Sequence, residues 1–264
     1  MDQKTATAMS GQTAVVTGAS RGIGRAIALE LAAAGASVLV HARANRQGAE
    51  ATADAVRRQG ADALVVLADL ADPAEHEALV DRAWHWRAGP TVWINNAGAD
   101  VLTGPYADWP FERKLEALWQ VDVAATLRLA RLAGRRMKDG AGGAILNMGW
   151  DGAERGMAGA SAELFAAAKG AVMAFSRSLA RSLAPEVRVN CLAPGWIKTA
   201  WGEQASEAWQ QRARRECLLR RWGTPEDVAR VARFLVSPAA AFVTGQVVNV
   251  NGGFREGRGK KDEG

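Results

Sequence analysis

The stretch that most constrains this chain is Thr17-Gly18-Ala19-Ser20-Arg21-Gly22-Ile23-Gly24, because of what stands on either side of it. Ala14 to Thr17 (AVVT) is the short apolar run of a buried strand, and Arg25 to Gly35 (RAIALELAAAG) is a helix pattern that stops at a glycine. Three glycines in the spacing G-x-x-x-G-x-G permit a tight turn and a close backbone approach to a pyrophosphate. The helix that follows points free N–H groups and a partial positive charge at the same place.

The alternation then continues. Strand patterns fall at 37–42, 63–70, 91–98, 143–148, 186–194 and 246–253. Helical patterns fall at 47–60, 73–86, 111–138, 161–183, 203–217 and 225–236. This order predicts an α/β chain, a single-domain Rossmann fold with a doubly wound, seven-stranded parallel sheet, right-handed crossovers and helices on both faces. The expected layout is a flexible N-terminus over 1–10, one domain over 11–253 and a charged, glycine-rich flexible tail over 254–264.

Composition narrows the function classes. The 264 residues are 48% hydrophobic and 23% charged, the balance of a globular protein. No apolar run approaches the ~18 residues of a membrane-spanning helix, so no membrane association is expected. The formal charge of +5 is spread over helices that also carry acids, and no basic stripe with interleaved aromatics suggests nucleic acid. Cys191 and Cys217 make no disulfide framework and suit a reducing, cytoplasmic setting. His41, His76 and His85 are scattered, so no metal site is expected. Ten tryptophans against a single tyrosine is an unusual ratio, and Trp150, Trp196 and Trp201 fall where a pocket is expected.

TGASRGIG, together with Asn95-Asn96-Ala97-Gly98 after the fourth strand, resembles the short-chain dehydrogenase/reductase superfamily, classical type. That type includes the β-ketoacyl carrier-protein reductases, which the chain also resembles. Further matches are Asp69-Leu70, Pro194-Gly195-Trp196-Ile197-Lys198-Thr199, Val243-Thr244-Gly245-Gln246 and Asn251-Gly252-Gly253. The resemblance implies that Gly18, Ser20, Arg21, Gly22, Ile23 and Gly24 cradle a dinucleotide and that Asp69 and Leu70 lie on its adenine side. It places Asn95, Ala97 and Gly98 along the adenosine ribose, and Pro194, Gly195, Ile197 and Thr199 along the nicotinamide. It also implies a substrate lid at about 196–222 and assembly into a homotetramer or homodimer through the two long helical stretches.

Charge argues for NADP(H). An NAD-selective site has an acid after the second strand, whereas Ala42 is followed here by Arg43, with Arg21 and Arg46 nearby. Guanidinium groups suit a 2′-phosphate.

The resemblance also implies an Asn-Ser-Tyr-Lys active site, and there the chain departs from it. The Tyr-x-x-x-Lys motif reads Phe165-Ala-Ala-Ala-Lys169, so the lysine is present, as the expected ribose holder, and the tyrosine is not. The serine position reads Trp150, and the asparagine position Asp122. The interval from Trp150 to Phe165 is about two residues longer than usual in the family. A phenyl ring exchanges no proton. Two readings follow. In one, hydride transfer to or from a small carbonyl, alcohol or imine proceeds with another acid, for which Asp151, Asp122 and Ser161 are the candidates. Each has a plain structural alternative: a loop or cap residue, a salt-bridge carboxylate and a helix N-cap. In the other, the chain binds NADP(H) without redox turnover, as a sensor, a partner subunit or a catalyst of a non-redox step.

Overall fold

The computed structural model describes residues 8–255; 1–7 and 256–264, and with them most of both expected flexible termini, lie outside the described residues. Seven parallel strands form one sheet: β1 (Thr13–Val16), β2 (Ser37–Ala42), β3 (Ala63–Leu67), β4 (Val92–Asn95), β5 (Gly143–Met148), β6 (Val187–Pro194) and β7 (Val247–Val250). Their order is β3-β2-β1-β4-β5-β6-β7, so the winding reverses between β1 and β4 and opens a crevice at the carboxyl ends of these strands.

Buried parallel strands need apolar residues on both faces, and they have them. Ala14 and Val16 point into one core with Val38, Val40, Ile94 and Leu146, while Val15 points into the other with Leu39, Trp93 and Ile145. The first core is closed by α1 (Gly22–Ala33), α2 (Arg46–Arg57) and α10 (Pro225–Val236). The second is closed by α3 (Ala74–His85), α5 (Thr126–Lys138) and α7 (Ala160–Leu183).

The stretch expected as one helix over 111–138 is three pieces. Helix α4 (Phe111–Leu118) and α5 are joined by a π-helical segment, Trp119–Ala125, which carries Asp122. Widened turns of this kind recur at functional sites. After β5 the chain makes a short helix, α6 (Gly152–Arg155), and the lid divides into α8 (Ala200–Gln204) and α9 (Glu207–Glu216).

Both ends of the domain reach further than the composition suggests. Met9 is fully buried between exposed Ala8 and Ser10, and its N–H donates to Ala34 O, so the core reaches back to Met9. Phe254 bridges to Cys217, and Arg255 N donates to Glu216 O, so the described tail is stitched to the lid.

Candidate active site

The glycine loop lies at the crevice. Gly18 has φ +65°, and a Cβ there would stand 2.8 Å from Ala97 Cα; a Cβ on Gly24 would stand 2.3 Å from Gly18 O. The loop is held from below. Asn96 Nδ2 donates to Thr17 O (2.9 Å) and Gly18 O (3.2 Å), and Thr17 Oγ1 accepts from Asn96 N and Ala97 N. Among the described residues no side chain caps α1, so its first-turn N–H groups are open to an anion. A cradle too tight for a Cβ beside an uncapped helix start fits a dinucleotide pyrophosphate.

His41 is a residue of this site that the sequence reading passed over. It lies one residue before the end of β2 with its ring buried, where a polar group must find partners. Its Nδ1 accepts from Gly18 N (3.2 Å), and Nε2 lies 3.0 Å from Ala68 O, so Nε2 is the protonated nitrogen and donates there. Burial pushes the His41 pKa down to about 4, against the opposing pull of the Ala68 carbonyl and Asp69. The ring is a neutral strut tying the glycine loop to the ends of β2 and β3.

Several expected cofactor contacts are placed differently. The Asn95 side chain turns into the protein: Oδ1 accepts from Trp93 Nε1 (2.9 Å), and Nδ2 donates to Asn147 Oδ1 (2.8 Å), which continues to Ser176. Its side chain is therefore not free for a ribose; Asn96 is the member of the pair that shapes the loop. Leu70 is buried in the core. Asp69 is exposed, its Oδ1 accepting from Ala71 N. Arg43 is exposed with no ion-pair partner among the described residues, while Arg21 reaches across to Asp100 at 3.7 Å.

The proton-donor candidates are all engaged. Lys169 Nζ sits 2.7 Å from Asp122 Oδ1, with side-chain exposures of only 11% and 1%, and Asp122 Oδ2 accepts from Ala99 N at 2.7 Å. The loop after β4, the π segment and α7 thus meet at one buried ion pair. Asp151, also buried, accepts from Arg155 Nη2 (2.8 Å) and Asn251 Nδ2 (3.0 Å), and Arg155 stacks on Phe254. This is a structural clamp between β5, α6 and the C-terminal segment. Each of the two carboxylates is thus held as an acceptor by two N–H donors. Ser161 Oγ is 3.4 Å from Lys114 Nζ; it does not cap α7, whose N-cap is Gly159.

Where hydroxyls are expected there are rings. Trp150 and Phe165 meet edge to face at 6.4 Å between centroids. Trp150 also lines a small cavity with Asp151, Arg155, Trp196, Arg212 and Glu216. In the lid, Trp196, Trp201, Trp209 and Trp222 pack at centroid distances of 5.5–6.1 Å. Trp196 Nε1 donates to Glu216, which also holds Arg212 (2.7 Å). The sequence suggests Trp196 and Trp201 as pocket residues; Trp209 and Trp222 complete the cluster. Among the described residues no group of side chains is arranged to hold a metal ion, and no helix is long and apolar enough to cross a membrane.

Comparison with known proteins agrees with the fold. A family model described as enoyl-(acyl carrier protein) reductase matches residues 18–255. The 3-oxoacyl-(acyl-carrier-protein) reductase of Pseudomonas aeruginosa is 33% identical over 249 residues, 93% of this chain and 98% of the relative. A solved short-chain dehydrogenase from Burkholderia cenocepacia J2315, in complex with NADP, has a TM-score of 0.84 at 32% identity, covering 93% of this chain and 98% of its own. A 7α-hydroxysteroid dehydrogenase complexed with NADH and 7-oxo glycochenodeoxycholic acid has a TM-score of 0.86 at 31% identity, covering 96% and 98%. This chain belongs to the short-chain dehydrogenase/reductase family of oxidoreductases.

Proposed function

We propose that this short-chain dehydrogenase/reductase is a cytoplasmic, NADP(H)-dependent oxidoreductase that exchanges hydride with a small carbonyl, alcohol or imine substrate without a tyrosine acid. The observation that carries this reading is the joint preservation of the glycine cradle and of a buried Lys169 at the end of the same crevice, beside Phe165. When bound, the cofactor supplies the hydride. The glycine loop and the start of α1 hold its pyrophosphate, with His41 and Asn96 fixing the loop. Pro194, Gly195, Ile197 and Thr199 line the nicotinamide side. Trp150 and Phe165 exclude water and present apolar faces to the substrate.

The exposed guanidinium of Arg43 favours the phosphorylated cofactor, as does the NADP bound to the Burkholderia cenocepacia relative; the steroid dehydrogenase, with NADH, is the counter-example. Titration of intrinsic fluorescence with both cofactors tests the choice. Arg43→Ala weakens NADPH binding by about tenfold, the worth of a charge-assisted contact, and leaves NADH nearly unchanged. Equal losses for both remove the assignment. A homodimer or homotetramer is supported by Phe111, Leu115 and Trp119, three exposed apolar residues spaced four apart from α4 onward.

The engaged state of Asp122 and Asp151 favours a second reading, NADP(H) binding without redox turnover. NADPH that binds but is oxidised by no carbonyl or imine favours this second reading.

A further inference from the structure

The replacements at this site have one chemical sense in common. Reduction of a ketone turns a neutral oxygen into an alkoxide, which needs donors at that oxygen and then a proton. Phe165 can supply neither and Trp150 has an indole N–H but no proton to give, while Asp122, Asp151 and Glu216 are already acceptors in ion pairs. What the site does offer is aromatic surface and cancelled charge. Trp150 and Trp196 line the same cavity, with Phe165 edge-on to Trp150. The cations in reach are each compensated: Lys169 by Asp122, Arg155 by Asp151 and Arg212 by Glu216. An asparagine at 122 would leave the Lys169 ammonium uncompensated beside the crevice; an aspartate cancels it.

Resting on the hydride-transfer reading above, we infer that the substrate arrives already positively charged, as an iminium ion held against the Trp150 ring, and is reduced by hydride addition alone. The balance closes without a proton donor. Hydride adds to the iminium carbon, the C=N π pair retires onto nitrogen as a lone pair, the substrate becomes a neutral amine, and the dihydronicotinamide is oxidised. The loss of tyrosine and serine, and the exchange of asparagine for Asp122, then serve one end. No oxyanion forms, and a nearby unbalanced ammonium would repel the substrate.

The test has two arms. In the first, N-methyl-3,4-dihydroisoquinolinium, whose charge is permanent, is compared with 1-tetralone by NADPH oxidation. The iminium is preferred by at least about 100-fold in kcat/KM, the usual loss when an oxyanion donor is missing, and its rate does not follow protonation of the substrate. In the second, no cofactor is present and no reduction is possible. The saturated N,N-dimethyl-tetrahydroisoquinolinium ion is titrated calorimetrically against neutral 1-tetralone. The cation binds more tightly, and Trp150→Ala weakens it by about tenfold, the worth of a partly desolvated cation–π contact. Asp122→Asn also weakens it, and the double variant Asp122→Asn/Lys169→Met, which carries no net change of charge, recovers most of the loss. Equal turnover of ketone and iminium, or equal binding of cation and ketone, overturns the inference. Cation binding with no NADPH oxidation by any acceptor leaves the cation site standing and overturns hydride transfer instead.

Discussion

Replacing Asp122 by alanine tests the ion pair at the centre of the site. Both charges are nearly sealed from water, with the contact at 2.7 Å, so removing the carboxylate strands the Lys169 ammonium in a poorly solvated place. It also leaves Ala99 N–H without its acceptor. Breaking a buried pair from one side costs about 3–5 kcal/mol. For a domain of this size that lowers the unfolding midpoint on the order of 10 °C. The pair itself is worth far less than this, because its attraction mostly offsets the desolvation of both ions. Asp122→Ala/Lys169→Met therefore costs less than the sum of the two single changes, and the cycle shows a coupling of about 2–3 kcal/mol. Urea and thermal unfolding of the wild type, both single variants and the double variant supply the four corners. An Asp122→Ala protein within about 1 kcal/mol of wild type, or additive single effects, refutes the claim that the two charges are buried together.

Two further predictions follow from the cofactor cradle. The folded-state pKa of His41, about 4, lies below the 6.5 of an unperturbed histidine, so between these values the unfolded chain takes up a proton that the folded one refuses. Stability therefore falls as pH drops through this window, by up to about 3 kcal/mol, and flattens below it; His41→Gln removes that part of the slope in pH-dependent unfolding. Gly24→Ala drives a methyl group against Gly18 O, and the expected outcome is NADPH affinity lost by more than about 100-fold, with a lower unfolding midpoint, measured by fluorescence titration and calorimetry.

The fold was readable from the chain because its signals are local. Strands buried on both faces leave continuous apolar runs, and a turn that admits no Cβ leaves glycines. The site was readable only as a set of residue types. Nothing in the order of residues joins Asp122 to Lys169; that pairing needs the π segment to turn the carboxylate towards α7. Likewise, two adjacent asparagines give no sign of which faces the crevice. The pleat sends Asn95, paired in register with Asn147, into the interior and leaves Asn96 for the glycine loop. His41 did carry a signal, an ionisable residue inside a buried strand, but its partner Gly18 N is fixed only by the pairing of β1 with β2. Asp151 looks like an acid in sequence because Arg155, one turn on, and Asn251, near the C-terminus, are needed to see it as a clamp.

The most direct measurement uses NADPH deuterated at the transferable position of C4, incubated with the wild-type protein and a panel of ketones, aldehydes, imines and iminium salts, with products read by mass spectrometry. The account predicts deuterium at the former C=O or C=N carbon of at least one product, formed by a chain whose residue 165 is phenylalanine. NADPH bound with ordinary affinity and no deuterium delivered to any acceptor contradicts it.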